Sequence, residues 1–136
     1  MQDVSILHDA VAKEEVLRLQ GEADILLFAE ALRGKYKNAA RLSFSTKLTD
    51  YFSAGRCILA IAPPDIAPTE YLADNDIALT ADSKEKLLKI LRSISEDPDI
   101  MKEYADRAYK FGVEYHSPEM TFERFAQTVS EAVKGK

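Results

Sequence analysis

Cysteine and histidine are scarce in this chain: one cysteine, Cys57, and two histidines, His8 and His116, among 136 residues. A lone thiol leaves no internal disulfide, so a reducing, cytoplasmic compartment is the natural expectation. One cysteine and two distant histidines also argue against a structural zinc site. No apolar run approaches the ~18 residues a membrane helix needs; the best, Cys57 to Ala62, is short. The N-terminus places Asp3 and Asp9 around a brief apolar stretch, which is not a secretory signal. Positive charge is not in excess either. The net charge of −5 argues against a dedicated nucleic-acid binder, which normally carries a basic face. Also missing are a Ser–His–Asp order, a Walker-type glycine loop and a dinucleotide fingerprint, so hydrolase, NTPase and dehydrogenase readings have no support. No acidic cluster follows the first apolar segment, which weakens a receiver-type phosphorylation domain. Internal repeats, low-complexity segments and interdomain linkers are absent.

What is present suits one globular domain. The length is near the modal domain size. The 46% hydrophobic and 30% charged content supplies a core and excludes intrinsic disorder. Apolar periodicity then orders the elements. Val4 to Leu7 reads as a short strand, and Lys13 to Gln20 as a helix stopped by Gly21. Ile25 to Ala29 is continuously apolar, as in a strand covered on both faces of a parallel sheet. Arg33 to Arg41 is a basic, glycine-containing loop, and Lys47 to Ala54 a helix ended by Gly55, where a left-handed cap is favoured. A second buried-type strand, Cys57 to Ala62, breaks at Pro63-Pro64. Thr69 can cap a helix through Asp74, and Ile77 to Thr80 is the last strand. This alternation predicts βαβ units and a parallel sheet of about four strands.

The final third is helical. Ser83 caps a helix striped by Leu87, Leu91 and Ile94; Asp97-Pro98 and Ser117-Pro118 start two more. Their stripes run through Met101, Tyr104, Ala105, Ala108, Phe111 and Tyr115, and then Phe122, Phe125, Ala126, Val129 and Val133. Both stripes read as core rather than as cofactor contacts.

Ligands of open parallel sheets bind beyond the carboxyl ends of the strands. Two segments lie there, Glu30 to Thr46 and Pro63 to Glu70. The first gathers Arg33, Lys35, Lys37 and Arg41 and then delivers Ser45-Thr46-Lys47 onto a helix N-terminus. Free amides and the positive helix end make such a terminus an anion site. Lysine there opposes the dipole unless an anion offsets it, and Asp50, one turn on, could accept bonds from sugar hydroxyls. The plainer alternative stays open: a hydroxyl caps the helix, Lys47 is solvated and Asp50 complements the dipole. Glu70 is normal dipole complementation or a ligand contact. His8 could reach the cleft or sit on the surface, His116 reads as a loop residue, and Cys57 as a small buried hydrophobe.

The run Ala23-Asp24-Ile25-Leu26-Leu27-Phe28, followed by Leu42-Ser43-Phe44-Ser45-Thr46-Lys47-Leu48-Thr49-Asp50-Tyr51-Phe52-Ser53-Ala54-Gly55-Arg56-Cys57-Ile58-Leu59-Ala60, resembles the donor-binding half of GT-B glycosyltransferases. It is most similar to their retaining family-four group. There a strand is followed by a phosphate-facing serine/threonine-lysine helix, an acidic residue, a Tyr-x-x-x-Gly-(Lys)-Pro turn and another buried strand. Glu70-Tyr71-Leu72, Asp97-Pro98 and the aromatic last helix continue the order.

The resemblance implies a three-layer, Rossmann-like α/β domain holding a nucleotide-diphosphate sugar, with no metal and no other cofactor. By matching position, Ser45, Thr46 and Lys47 hold the donor phosphates and Asp50 the ribose. Lys47 is the catalytic candidate, stabilising charge on the departing diphosphate; Glu30, Arg41 and Glu70 are further candidates. The chain departs from the family at Leu42, where many members carry a second glutamate, at Asp50, one methylene short, and at Arg56-Cys57, which replaces the basic-proline pair.

Measured against the family, residues 1–136 match one partial donor domain. Two strand–helix units and the N-terminal acceptor-binding domain have no counterpart in it. The expected activity is transfer of a sugar to a glycan or lipid-linked acceptor in polysaccharide biosynthesis, inactive in this segment alone and peripheral to a membrane in the full enzyme. The rival expectation is a non-catalytic α/β binding module on the same scaffold. An apolar strand edge near residues 25–29 would be covered by Val4 to Leu7 or by a second copy in a homodimer.

Overall fold

The structure, a computed structural model, describes residues 9–32, 41 and 44–135. The expected strand Val4 to Leu7, His8, the basic residues Arg33, Lys35 and Lys37, and Leu42 lie outside them. The described elements run α1 (Lys13–Glu22), β1 (Ile25–Ala29), α2 (Lys47–Ala54), β2 (Cys57–Ile61), α3 (Ala67–Asp74), β3 (Leu79–Ala81), α4 (Lys84–Glu96), α5 (Asp99–His116) and α6 (Pro118–Lys134). The strands form one parallel sheet in the order β1-β2-β3, with Ile25 opposite Cys57 and Leu59 opposite Leu79. The fold is α/β and Rossmann-like, with a helical C-terminal third.

Side-chain alternation explains where the core sits. Register puts Leu26 and Phe28 on the same face as Ile58 and Ala60. Against that face lie Leu48 and Phe52 of α2, Leu72 of α3 and Ala108 of α5, all fully buried. β2 is buried on both faces, as its continuous apolar run predicts, but β1 is not. Leu27 remains 51% exposed, because no described element covers the second face of β1. One carbonyl of β1 is nonetheless satisfied from α2: the Tyr51 hydroxyl donates to Leu27 O at 3.2 Å.

Two glycines are required by geometry. Gly55 ends α2 at φ 62°, ψ 40°, with its N–H donating to Phe52 O at 3.3 Å, the left-handed cap read from the sequence. Gly112 lets α5 lie directly on α2, since a Cβ there would come within 2.6 Å of the Phe52 Cβ.

Helix starts follow the signals in part. Ser83 and Ser117 accept from the amides of Lys86 and Met120, each at 3.3 Å, as caps do. At Asp97-Pro98 the helix itself begins at Asp99, whose amide donates to the Asp97 carboxylate. Thr69 does not cap α3. Pro68 favours the first turn, so the helix begins at Ala67, and the amides of Thr69 and Glu70 both bond Ile66 O. The last strand starts later than Ile77. Asp76 adopts φ 51°, and the Ile77 amide closes back on Leu72 O, so pairing begins at Leu79. Gly21 does not stop α1, which runs to Glu22 with Arg18 ion-paired to Glu15 at 2.6 Å and to Glu22 at 2.5 Å.

Phe122, Phe125, Val129 and Val133 are 71, 68, 46 and 70% exposed and are not core. α6 turns away after its cap at Ser117, so beyond Met120 none of its described side chains is even half-buried. Of the α5 stripe, Ala108 is buried and Met101, Tyr104, Ala105 and Phe111 are half-buried, while Tyr115 is 38% exposed. Among the described residues no helix is long and apolar enough to cross a membrane.

Candidate functional site

In a β–α–β unit with parallel strands, the connecting helix runs back against them, so the α2 N-terminus lies at the carboxyl ends of β1 and β2. Three segments converge there. Glu30 follows β1 directly, and its amide donates to Ile61 O at 3.0 Å, binding the exits of β1 and β2 together. Arg41 is tied to the α3 start, its carbonyl accepting from the Ala67 amide at 3.0 Å. Phe44 sets its ring edge-on to Tyr71 of α3, with centroids 5.2 Å apart, immediately before Ser45-Thr46-Lys47.

The α2 terminus is not closed as a simple cap would close it. Thr46, at the N-cap position, is in helical geometry (φ −61°, ψ −20°) and its side chain makes no cap bond. The Leu48 amide is taken by Ser45 O at 3.1 Å, and Thr49 Oγ1 donates to Thr46 O at 2.7 Å. Ser45 is half-buried; Thr46, Lys47 and Asp50 are exposed. Thus the hydroxyl-cap alternative is not realised by Thr46, while Lys47 is exposed at the positive end of the helix. Of the remaining candidates, Glu30 is half-buried, and Arg41 and Glu70 are exposed, Glu70 in the first turn of α3.

Families of open α/β sheets use this end for ligands. A model of the glycosyl transferase-like family matches residues 4–127. The chain belongs to that family. No curated protein and no solved structure matches it. The match spans every segment of the candidate site in this glycosyl transferase-like domain.

Three features of the domain escaped the sequence reading. His116 is not a loop residue: it is the last residue of α5, half-buried, with Nε2 2.7 Å from the Tyr71 hydroxyl. Burial, with the Arg124 charge adding to it, holds its pKa below the ordinary histidine value. Burial likewise raises the Tyr71 hydroxyl. No local motif could have announced this pair, because 45 residues separate its members. Next, Thr69 is 3% exposed and its hydroxyl has no hydrogen-bond partner among the described residues. It lines a cavity of about 70 Å3 beyond β2 and β3, with Pro64, Asp82 and Lys86. Finally, a groove of about 500 Å3 runs between β3, α4 and α5, past Leu79, Lys89, Ile90 and Tyr104. It shares no residue with the α2 terminus.

Cys57 is buried as expected. Burial pushes its thiol up to about 11, which leaves it protonated and unsuited to nucleophilic work.

Proposed function

We propose that this domain binds the nucleotide-diphosphate sugar of a GT-B glycosyltransferase of the retaining, family-four kind. The donor diphosphate sits at the α2 N-terminus against Ser45, Thr46 and Lys47. Asp50, one turn on and exposed, accepts from the ribose hydroxyls, while Glu30, Arg41 and Glu70 border the crevice. The observation that carries this reading is the open α2 terminus: Thr46 does not cap it, and a cation stands where the helix dipole disfavours one. A bound diphosphate satisfies both conditions. Family membership over residues 4–127 supports glycosyl transfer in general, and the matching positions support the finer assignment.

Catalysis in this reading is electrostatic. Lys47 and the helix terminus stabilise negative charge as it develops on the departing diphosphate, with no metal required. The acceptor, a glycan or a lipid-linked saccharide, is held by an acceptor-binding domain distinct from this donor-binding one. Transfer occurs on the cytoplasmic side. The apolar edge of β1 left uncovered among the described residues invites pairing with a further strand, such as that of a second copy of the chain.

Calorimetric titration with UDP, GDP and their sugars tests the donor site. One of these ligands should bind wild type, and Lys47→Ala should weaken it by roughly tenfold or more, the loss of a charged hydrogen bond. Absence of binding by every ligand, or no effect of Lys47→Ala, defeats the assignment. Leu42, standing where many relatives have glutamate, favours a second reading, a non-catalytic module that retained the scaffold. Nucleotide binding that persists, without turnover when the acceptor domain is supplied, selects it.

A further inference from the structure

The loop that enters α2 is held by side chains from distant elements. Phe44, 40% exposed and immediately before Ser45, touches the described core through the edge of the Tyr71 ring, with centroids 5.2 Å apart and planes at 86°. Tyr71 is fixed in turn on two sides. Phe111 of α5 meets its ring at 5.6 Å and 72°, and His116, at the corner where α5 passes into α6, bonds its hydroxyl at 2.7 Å. His116 is itself packed between Phe52 of α2 and Phe111, with centroids at 5.3 and 5.7 Å. The Arg41 carbonyl, bonded to the amide of Ala67, ties the same loop to the start of the helix that carries Tyr71.

These contacts form one route: the α5–α6 corner at His116, then Tyr71, then Phe44, then the turn Ser45-Thr46-Lys47. Rings meeting edge-on have a preferred geometry, so displacing Tyr71 displaces Phe44. Phe44 is covalently next to the half-buried Ser45, so its ring contact with Tyr71 reaches the turn through one peptide bond.

We propose that Tyr71, held by His116, is a positioning residue for the donor-binding turn, acting through Phe44, so that the α5–α6 corner tunes nucleotide affinity from outside the site. This rests on the proposed reading of Ser45-Thr46-Lys47 as the diphosphate site. Neither Tyr71 nor His116 touches the donor.

The test is calorimetric titration of the full chain with UDP and GDP, using wild type, Phe44→Leu, Tyr71→Leu and the double variant, with Tm measured on each. Phe44→Leu and Tyr71→Leu should each weaken the bound nucleotide by roughly threefold to tenfold, the scale of one aromatic edge contact. The double variant should bind no more weakly than the worse single variant, because both changes break the same route. Tyr71→Phe keeps the ring but removes the bond to His116, so it folds even if Tyr71→Leu does not, and should lose about threefold. A fall in Tm with nucleotide affinity unchanged makes Tyr71 merely structural and overturns the proposal. So do losses that add in the double variant. If wild type binds neither nucleotide, the donor-site reading fails first and this inference with it; if wild type binds and all variants match it, only this inference fails.

Discussion

Single residues carry the proposed chemistry, and their surroundings decide which candidates could be read in advance. As candidates, Ser45, Thr46, Lys47 and Asp50 were legible because charge and hydroxyl order at a helix start is a local property. Their state was not: whether Thr46 caps the helix depends on its backbone angles, which put it in helical geometry with no cap bond. His116 was misread for the opposite reason, since its partner Tyr71 is remote in sequence. Because burial depresses its pKa, neutral His116 contributes stability that is present above the unfolded value near 6.5 and is lost as pH falls through the lower folded value. Chemical denaturation between pH 7.5 and 5.5 should show wild type losing stability on acidification, and His116→Gln losing less of it. Equal slopes would exclude His116 as the source. Cys57, buried with its thiol raised to about 11, should react with a thiol reagent at neutral pH only as fast as the chain unfolds. Rapid labelling of folded protein would contradict that burial.

At the scale of elements, the packing of α5 on α2 is the strictest demand. Gly112 sits where any Cβ would meet Phe52. Gly112→Ala should therefore destabilise by about 1–3 kcal/mol, as overpacking does, although alanine is the better helix former. A variant as stable as wild type would show that the two helices do not approach so closely. The α6 stripe makes the contrary case. Its period of apolar residues is that of a core helix, and periodicity alone cannot say whether anything lies opposite. Exposed as they are, Phe122→Ser and Phe125→Ser should each change stability by no more than ~0.5 kcal/mol. A cost of 2 kcal/mol or more in equilibrium unfolding would mean that α6 packs on a surface.

Across the whole molecule, a parallel sheet and its alternation with helices followed from strand and turn signals, whereas the order β1-β2-β3 came from the structure. Burial of β2 on both faces followed from its unbroken apolar run. The exposed face of β1 did not, because β1 and β2 have nearly the same composition and differ only in what lies beside them. The candidate site shares that limit. Sequence indicated which end of the sheet to search, while the ties that gather Glu30, Arg41 and Phe44 there are backbone and ring contacts between distant segments.

The proposed seat of the donor diphosphate is the α2 terminus and not the groove between β3, α4 and α5. Amide chemical shifts followed during titration with UDP or GDP test it most directly. Ser45, Thr46, Lys47 and Leu48 should shift first and most, and Lys47→Ala should weaken the response. Saturable shifts centred on Leu79, Lys89 and Tyr104, with residues 45–48 unmoved, would contradict it.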